Sequence, residues 1–269
     1  MASAQPVLSN SLASIAEALR AAEATATPVD PPTDGGPSLA VEDAYAIAQH
    51  NVALRVAAGE RVVGHKVGLT AEAIQKQLGV DQPDFGALLN TMRIADGGTA
   101  PTHELIAPRV ELELAFHLRS RLAGPGVTVA DVRAATSHVQ PAIELVDSRV
   151  IDWRITLVDT VADAASSARF VLGGVSVGLD EIDVGNVEME LERNGEIVER
   201  GNSSAVLGDP CASVAWLANA LGTMGVTLEP GHVILSGSGT RVAPAAPGDN
   251  FVGRFGTLGS VTLNFSGPR

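Results

Sequence analysis

The stretch Pro108-Arg109-Val110-Glu111-Leu112-Glu113-Leu114 sets two glutamates one residue apart inside an apolar run that continues to Leu118. In an extended strand alternate side chains share a face. Glu111, Glu113, Ala115 and His117 therefore line one side, and Val110, Leu112, Leu114, Phe116 and Leu118 the other. The pattern predicts a half-buried strand carrying two carboxylates side by side. A third carboxylate stands in Ala142-Ile143-Glu144-Leu145. Carboxylates this close repel one another unless water solvates them or a cation neutralises them. Spacing alone leaves both readings open: the solvated face of an edge strand, where alternating charge is ordinary, and a metal site. For a metal site, three carboxylates without paired Cys or His favour a hard divalent ion, Mg²⁺ or Mn²⁺ before Ca²⁺, and argue against zinc.

With 269 residues, 45% of them hydrophobic, the chain can bury a full core and form one large domain or one domain with a small appendage. Acidic residues outnumber basic ones 31 to 18 and no Lys/Arg run occurs, which argues against nucleic acid and anionic membrane surfaces as partners. The single cysteine, Cys211, permits no intramolecular disulfide and no multi-cysteine metal site, and reads as a small buried apolar group. The start lacks a basic segment followed by an apolar run, and no stretch of about 18 consecutive apolar residues occurs. A soluble cytoplasmic protein is expected.

Leu12, Ile15, Ala16 and Leu19 recur at helical spacing, a Pro- and Gly-rich loop follows over 26–37, and a second helix is expected over 41–58. From Arg61 the chain turns to short strands and glycine turns. Strands are expected over 62–69, 110–118, 170–174, 187–193, 196–200, 233–236, 250–255 and 260–265, with Asn194-Gly195 marking a type I′ hairpin. Further helices are expected over 71–78, 129–135 and 210–222. Helices in front of many antiparallel strands indicate an α+β protein.

In Val62-Val63-Gly64-His65-Lys66-Val67-Gly68-Leu69 the residues Gly64, Lys66 and Gly68 share a face. The ammonium then stands between two positions without side chains, and room for a small molecule is expected beside it. The plainer reading of Lys66 is a solvent-facing lysine. His65, on the apolar face with Val63, Val67 and Leu69, reads as a hydrogen-bonded core histidine. Gly79-Val80-Asp81-Gln82-Pro83-Asp84-Phe85-Gly86 reads as a tight turn able to present Asp84 to a cleft, although turn chemistry alone accounts equally for Asp81 and Asp84. Ile234-Leu235-Ser236-Gly237-Ser238-Gly239-Thr240 lacks the Gly-Lys-Ser/Thr ending of a phosphate loop. It reads as a substrate-facing turn, which makes Ser238 a candidate substrate-binding residue.

Five segments occur in order: Gly64-His65-Lys66-Val67-Gly68-Leu69-Thr70, the 79–86 turn, Pro108-Arg109-Val110-Glu111-Leu112-Glu113, Pro141-Ala142-Ile143-Glu144 and Asp159-Thr160-Val161-Ala162-Asp163. Over residues 44–265 the chain resembles the 2-keto-4-pentenoate hydratases of aromatic meta-cleavage pathways, within the fumarylacetoacetate hydrolase superfamily. The resemblance implies an α+β fold with a mixed, mainly antiparallel β-roll and peripheral helices, in which a helical segment, residues 1–60, precedes a catalytic domain, residues 61–269. It implies a homo-oligomer, and Mg²⁺ or Mn²⁺ held by Glu111, Glu113 and Glu144. Lys66 would sit near the substrate carboxylate or carry protons, Asp84 would act as acid or base, and Ser166 would bind a substrate oxygen. The implied reaction adds water at C4 of 2-hydroxypenta-2,4-dienoate, or a close alkyl homologue, to give a 4-hydroxy-2-ketoacid.

The sister 4-oxalocrotonate decarboxylase resembles the hydratases in the metal motif and stands as the alternative, with an inactive partner subunit as a third reading. The 79–86 segment is more similar to the hydratase version. A pathway aldolase or decarboxylase is the protein partner such a role suggests. Relatives commonly carry Asn after the second Asp of Asp-x-x-Ala-Asp, where this chain has Ala164. If that amide orients substrate, its replacement by a methyl group bears on substrate range or rate.

Overall fold

The computed structural model describes residues 8–34, 38–71, 75–76 and 79–267. Helices α1 (Asn10–Thr25), α2 (Val41–Ala57), α3 (Val129–Ala135), α4 (Leu157–Ala162) and α5 (Pro210–Thr223) surround two sheets. The first sheet contains β1 (Val62–Gly68), β2 (Asp84–Leu89), β3 (Arg93–Ile94), β5 (Arg109–Leu118), β6 (Thr136–Val146), β7 (Ser167–Leu172), β10 (Val233–Ser238) and β11 (Ala243–Pro244). The second contains β4 (Thr99–Ala100), β8 (Glu188–Arg193), β9 (Glu196–Asn202), β12 (Asn250–Arg254) and β13 (Ser260–Phe265). The first runs β2-β1-β10-β5-β6-β7-β3 with β11 paired to β5, and the second β4-β13-β12-β8-β9. Only β1/β10, β3/β7 and β4/β13 are parallel among the described pairs. The fold is α+β with mixed, mainly antiparallel sheets and peripheral helices.

Alternation on β5 builds the main core. Val110, Leu112, Leu114 and Phe116 are fully buried and meet Met189, Leu191, Phe251, Val261 and Leu263 of the second sheet, with Cys211, Val214 and Leu217 of α5 closing one side. The opposite face of β5 is not the solvated face of an edge strand. β5 lies between β10 and β6, and Glu113 and Ala115 are as buried as their apolar neighbours. On that face a smaller cluster includes Leu88, Ala115, Ala142, Phe170 and Leu235. A third cluster ties Ala16 and Leu19 of α1 and Ala44 and Ile47 of α2 to Val161 and Ala162 of α4.

The hairpin at Asn194-Gly195 joins β8 to β9 with φ of 55° and 85°, the positive pair that a type I′ turn requires. The strand expected over 170–174 begins three residues earlier, at Ser167. β6 was not expected as a strand: both its faces are buried from Pro141 to Val146, so no alternation shows, and Pro141 reads as a strand breaker. β2 was hidden inside the expected turn, whose Pro83 is followed directly by the first strand residue, Asp84. α4 is too short for a helical period to show. Residues 72–74 and 77–78 of the helix expected over 71–78, and 35–37 of the expected loop, lie outside the described residues. No described helix is long and apolar enough to cross a membrane.

Candidate active site

The register of β5 with β6 sets Glu111 opposite Glu144 and Glu113 opposite Ala142. Each of the three glutamates offers an oxygen, and these oxygens all lie within 4.8 Å of one another. Glu113 and Glu144 are fully buried and Glu111 is half-buried. Glu113 Oε2 accepts the Gly237 N–H at 2.6 Å, while Glu113 Oε1 and both oxygens of Glu144 have no hydrogen-bond partner. Burial, and next Glu144, push the Glu111 carboxyl up to about 7 and raise Glu113 well above the usual carboxylate range. Unmatched buried carboxylate oxygens are costly and rare. An oxygen-only donor set that converges in this way fits a hard divalent cation.

Lys66 reaches the cluster from β1, its buried Nζ standing 3.4 Å from Glu144 Oε1. Burial opposes its charge, but Glu144, Asp84, Glu111 and Glu113 outweigh burial and hold the ammonium above its ordinary value. These carboxylates favour the ammonium form of Lys66. Asp84 enters from β2, opposite Gly68. Its Oδ2 accepts from Thr160 Oγ1 at 3.2 Å and its Oδ1 has no partner; burial raises its affinity for a proton, and Lys66 and Thr160 offset part of that rise.

The positions that Gly64 and Gly68 leave without side chains are themselves filled. A Cβ on Gly64 would overlap the Val233 backbone, because β10 packs there as a parallel neighbour. At Gly68 a Cβ would overlap Asp84 Oδ1 and come to 3.3 Å from Lys66 Nζ, so this glycine admits the two charged groups to one spot. His65 is buried, and burial pushes it down to about 3; but its Nδ1 has no hydrogen bond, so the core-histidine expectation holds only for burial.

Ser238 stands next to Glu111 and donates to the Thr240 carbonyl at 2.8 Å. Ser166 belongs to a different network: its hydroxyl donates to Asp163 Oδ2 at 3.1 Å, and Asp163 is ion-paired with buried Arg149. Ala164 follows Asp163, and its carbonyl packs against Gly86. Two site residues were not singled out from sequence. Gly237 needs its φ of 106° to turn its N–H to Glu113, and Thr70 occupies the place a side chain would take. Thr160 lies inside the Asp159–Asp163 motif, which was its only signal.

The family described as fumarylacetoacetate (FAA) hydrolase C-terminal matches residues 61–265. The chain is 47% identical over 258 residues to a 2-keto-4-pentenoate hydratase of Burkholderia vietnamiensis, covering 96% of this chain and 98% of that protein. It is 45% identical over 252 residues to a 2-hydroxyhexa-2,4-dienoate hydratase of Comamonas testosteroni, covering 93% and 94%. The structure superposes on the 4-oxalocrotonate decarboxylase from Pseudomonas putida G7, complexed with magnesium and adipate, with a TM-score of 0.93 at 36% identity, covering 97% and 99% of the two chains. With a matching family profile across its sheets and relatives alike over nearly their full lengths, the chain belongs to the fumarylacetoacetate hydrolase family.

Proposed function

We propose that the protein adds water to a short 2-hydroxy-2,4-dienoate, giving a 4-hydroxy-2-ketoacid. The observation that carries this reading is the buried triad Glu111, Glu113 and Glu144 with Lys66 and Asp84 at its edge, in a chain 45% and 47% identical to two named hydratases. The three glutamates would hold Mg²⁺ or Mn²⁺. When bound, such an ion offsets their charge and polarises the substrate's carboxylate and C2 oxygen.

Lys66, held as a cation, binds the substrate carboxylate and fixes which end of the molecule faces the glutamates. Asp84, buried and prone to hold a proton, borders the same spot above Gly68 as Lys66 and is the acid–base group. The dienol gives its hydroxyl proton to solvent while Asp84 delivers one at C5, giving the 2-keto-3-enoate. Water then adds with its oxygen at C4, the ionised Asp84 takes the proton that the water gives up and so regains its acid form, and the enolate left at C2–C3 takes a proton from solvent at C3, so that the net change is one water added. Ser238, beside Glu111, meets a substrate oxygen only if its hydroxyl leaves the Thr240 carbonyl to which it now donates. Ser166, committed to Asp163, acts indirectly by bracing the turn behind β2.

The test is turnover of 2-hydroxypenta-2,4-dienoate with Mg²⁺ in H₂¹⁸O, with the label located by mass spectrometry. Label at C4 is expected. CO₂ release from 4-oxalocrotonate, with no label entering the pentadienoate, would overturn the reading in favour of the decarboxylase.

A further inference from the structure

Asp84 has two carboxylate oxygens in unlike surroundings. Oδ2 accepts the Thr160 hydroxyl at 3.2 Å, and Oδ1 is buried without a partner, turned to the position above Gly68 that Lys66 Nζ also borders. A donor on one oxygen fixes the side-chain torsion and leaves the other oxygen to meet a ligand. Thr160 is itself held firmly. Its neighbour Asp159, fully buried, accepts from Thr33 N and Thr33 Oγ1 at 2.9 Å each, and from Thr156 N at 2.8 Å. On the other side Val161 and Ala162 are packed under Ala16, Leu19, Ala44 and Ile47.

We infer that Thr160 is a positioning residue for Asp84, and that the helices and loop before residue 61 hold this carboxyl in place through α4. The inference rests on the assignment of Asp84 as the acid–base group of the proposed hydration. It gives the helical segment a task in the chemistry without any contact with substrate.

Thr160→Val keeps the volume and removes the donor, whereas Thr160→Ser keeps the donor. Crystal structures of both variants with Mg²⁺, together with steady-state kinetics on 2-hydroxypenta-2,4-dienoate, test the inference. In Thr160→Val the Asp84 carboxylate should leave its present orientation, and kcat should fall by about 10- to 100-fold with KM little changed. Thr160→Ser should restore both. An Asp84 carboxylate that stays in place in Thr160→Val overturns the inference, whatever the activity. If Asp84 moves in that variant but the unaltered protein hydrates no dienoate, the positioning role stands and the assignment of the reaction falls.

Discussion

Glu113 has one hydrogen bond for its two oxygens, and Glu144 has none beside its ion pair with Lys66, so oxygens of both are left for a cation to meet. In Glu144→Gln the divalent-ion affinity measured by calorimetry should therefore fall by about 100-fold or more. Unchanged affinity would remove Glu144 from the ligand set. Three successive residues, Ala164, Ala165 and Ser166, hold φ of 53°, 54° and 51°, a left-handed run that L-residues adopt at a cost. Asn tolerates this region better than Ala, so Ala164→Asn should stabilise the protein by up to about 1 kcal/mol in urea unfolding. A variant less stable than the parent would show that the left-handed backbone at Ala164 carries no such cost. Glu111 and Glu113 were legible because strand alternation is local. Gly237 and Thr160 were not, because what matters about them is a partner 124 residues away for one and 76 for the other.

The elements divide in the same way. β5 announced itself by alternation, yet its place at the centre of the sheet, which decides that its glutamates are buried, depends on partners far along the chain. β6 is buried on both faces and interrupted by Pro141, so the strand that supplies Glu144 left no periodic trace. The pairing of β1 with β10 is also silent in the sequence, although Gly64 records it: only a residue without a side chain lets the Val233 carbonyl approach so closely. Gly64→Ala should force these parallel neighbours apart and destabilise the fold by about 2–3 kcal/mol in denaturant titration. The displaced strand also carries Lys66, so activity should fall in the fraction that remains folded. A Gly64→Ala protein as stable as the parent would mean that the two strands have slack between them.

The whole molecule carries a formal net charge of −13 and gathers three carboxylates, Asp84 and one ammonium in a buried site. That excess of acid was visible in the composition, but its concentration on one face of the larger sheet was not. The clasp of α1 and α2 on α4 was equally hidden, since helical spacing shows which face is apolar and not what it meets. The buried acids make metal-free stability depend on pH in a definite direction. Glu111 moves from an ordinary value of 4.5 in the unfolded chain to about 7 in the fold, chiefly through burial and next through Glu144. The fold therefore holds this proton more tightly than the unfolded chain does. The stabilisation is fully present below pH 4.5 and is lost as pH rises through about 7, a decline on the order of 3 kcal/mol for this group. Glu113, raised chiefly by burial and next by Glu144, contributes in the same direction. A divalent ion opposes this dependence, because it favours the ionised carboxylates and competes with protons for them. Unfolding midpoints measured with EDTA should fall from pH ~5 to pH ~7.5, while those in millimolar MgCl₂ fall less, so the two curves diverge as pH rises. Curves that stay parallel, or that converge towards high pH, would show that protons and metal do not compete for the same oxygens, and Glu111, Glu113 and Glu144 would lose their role as ligands.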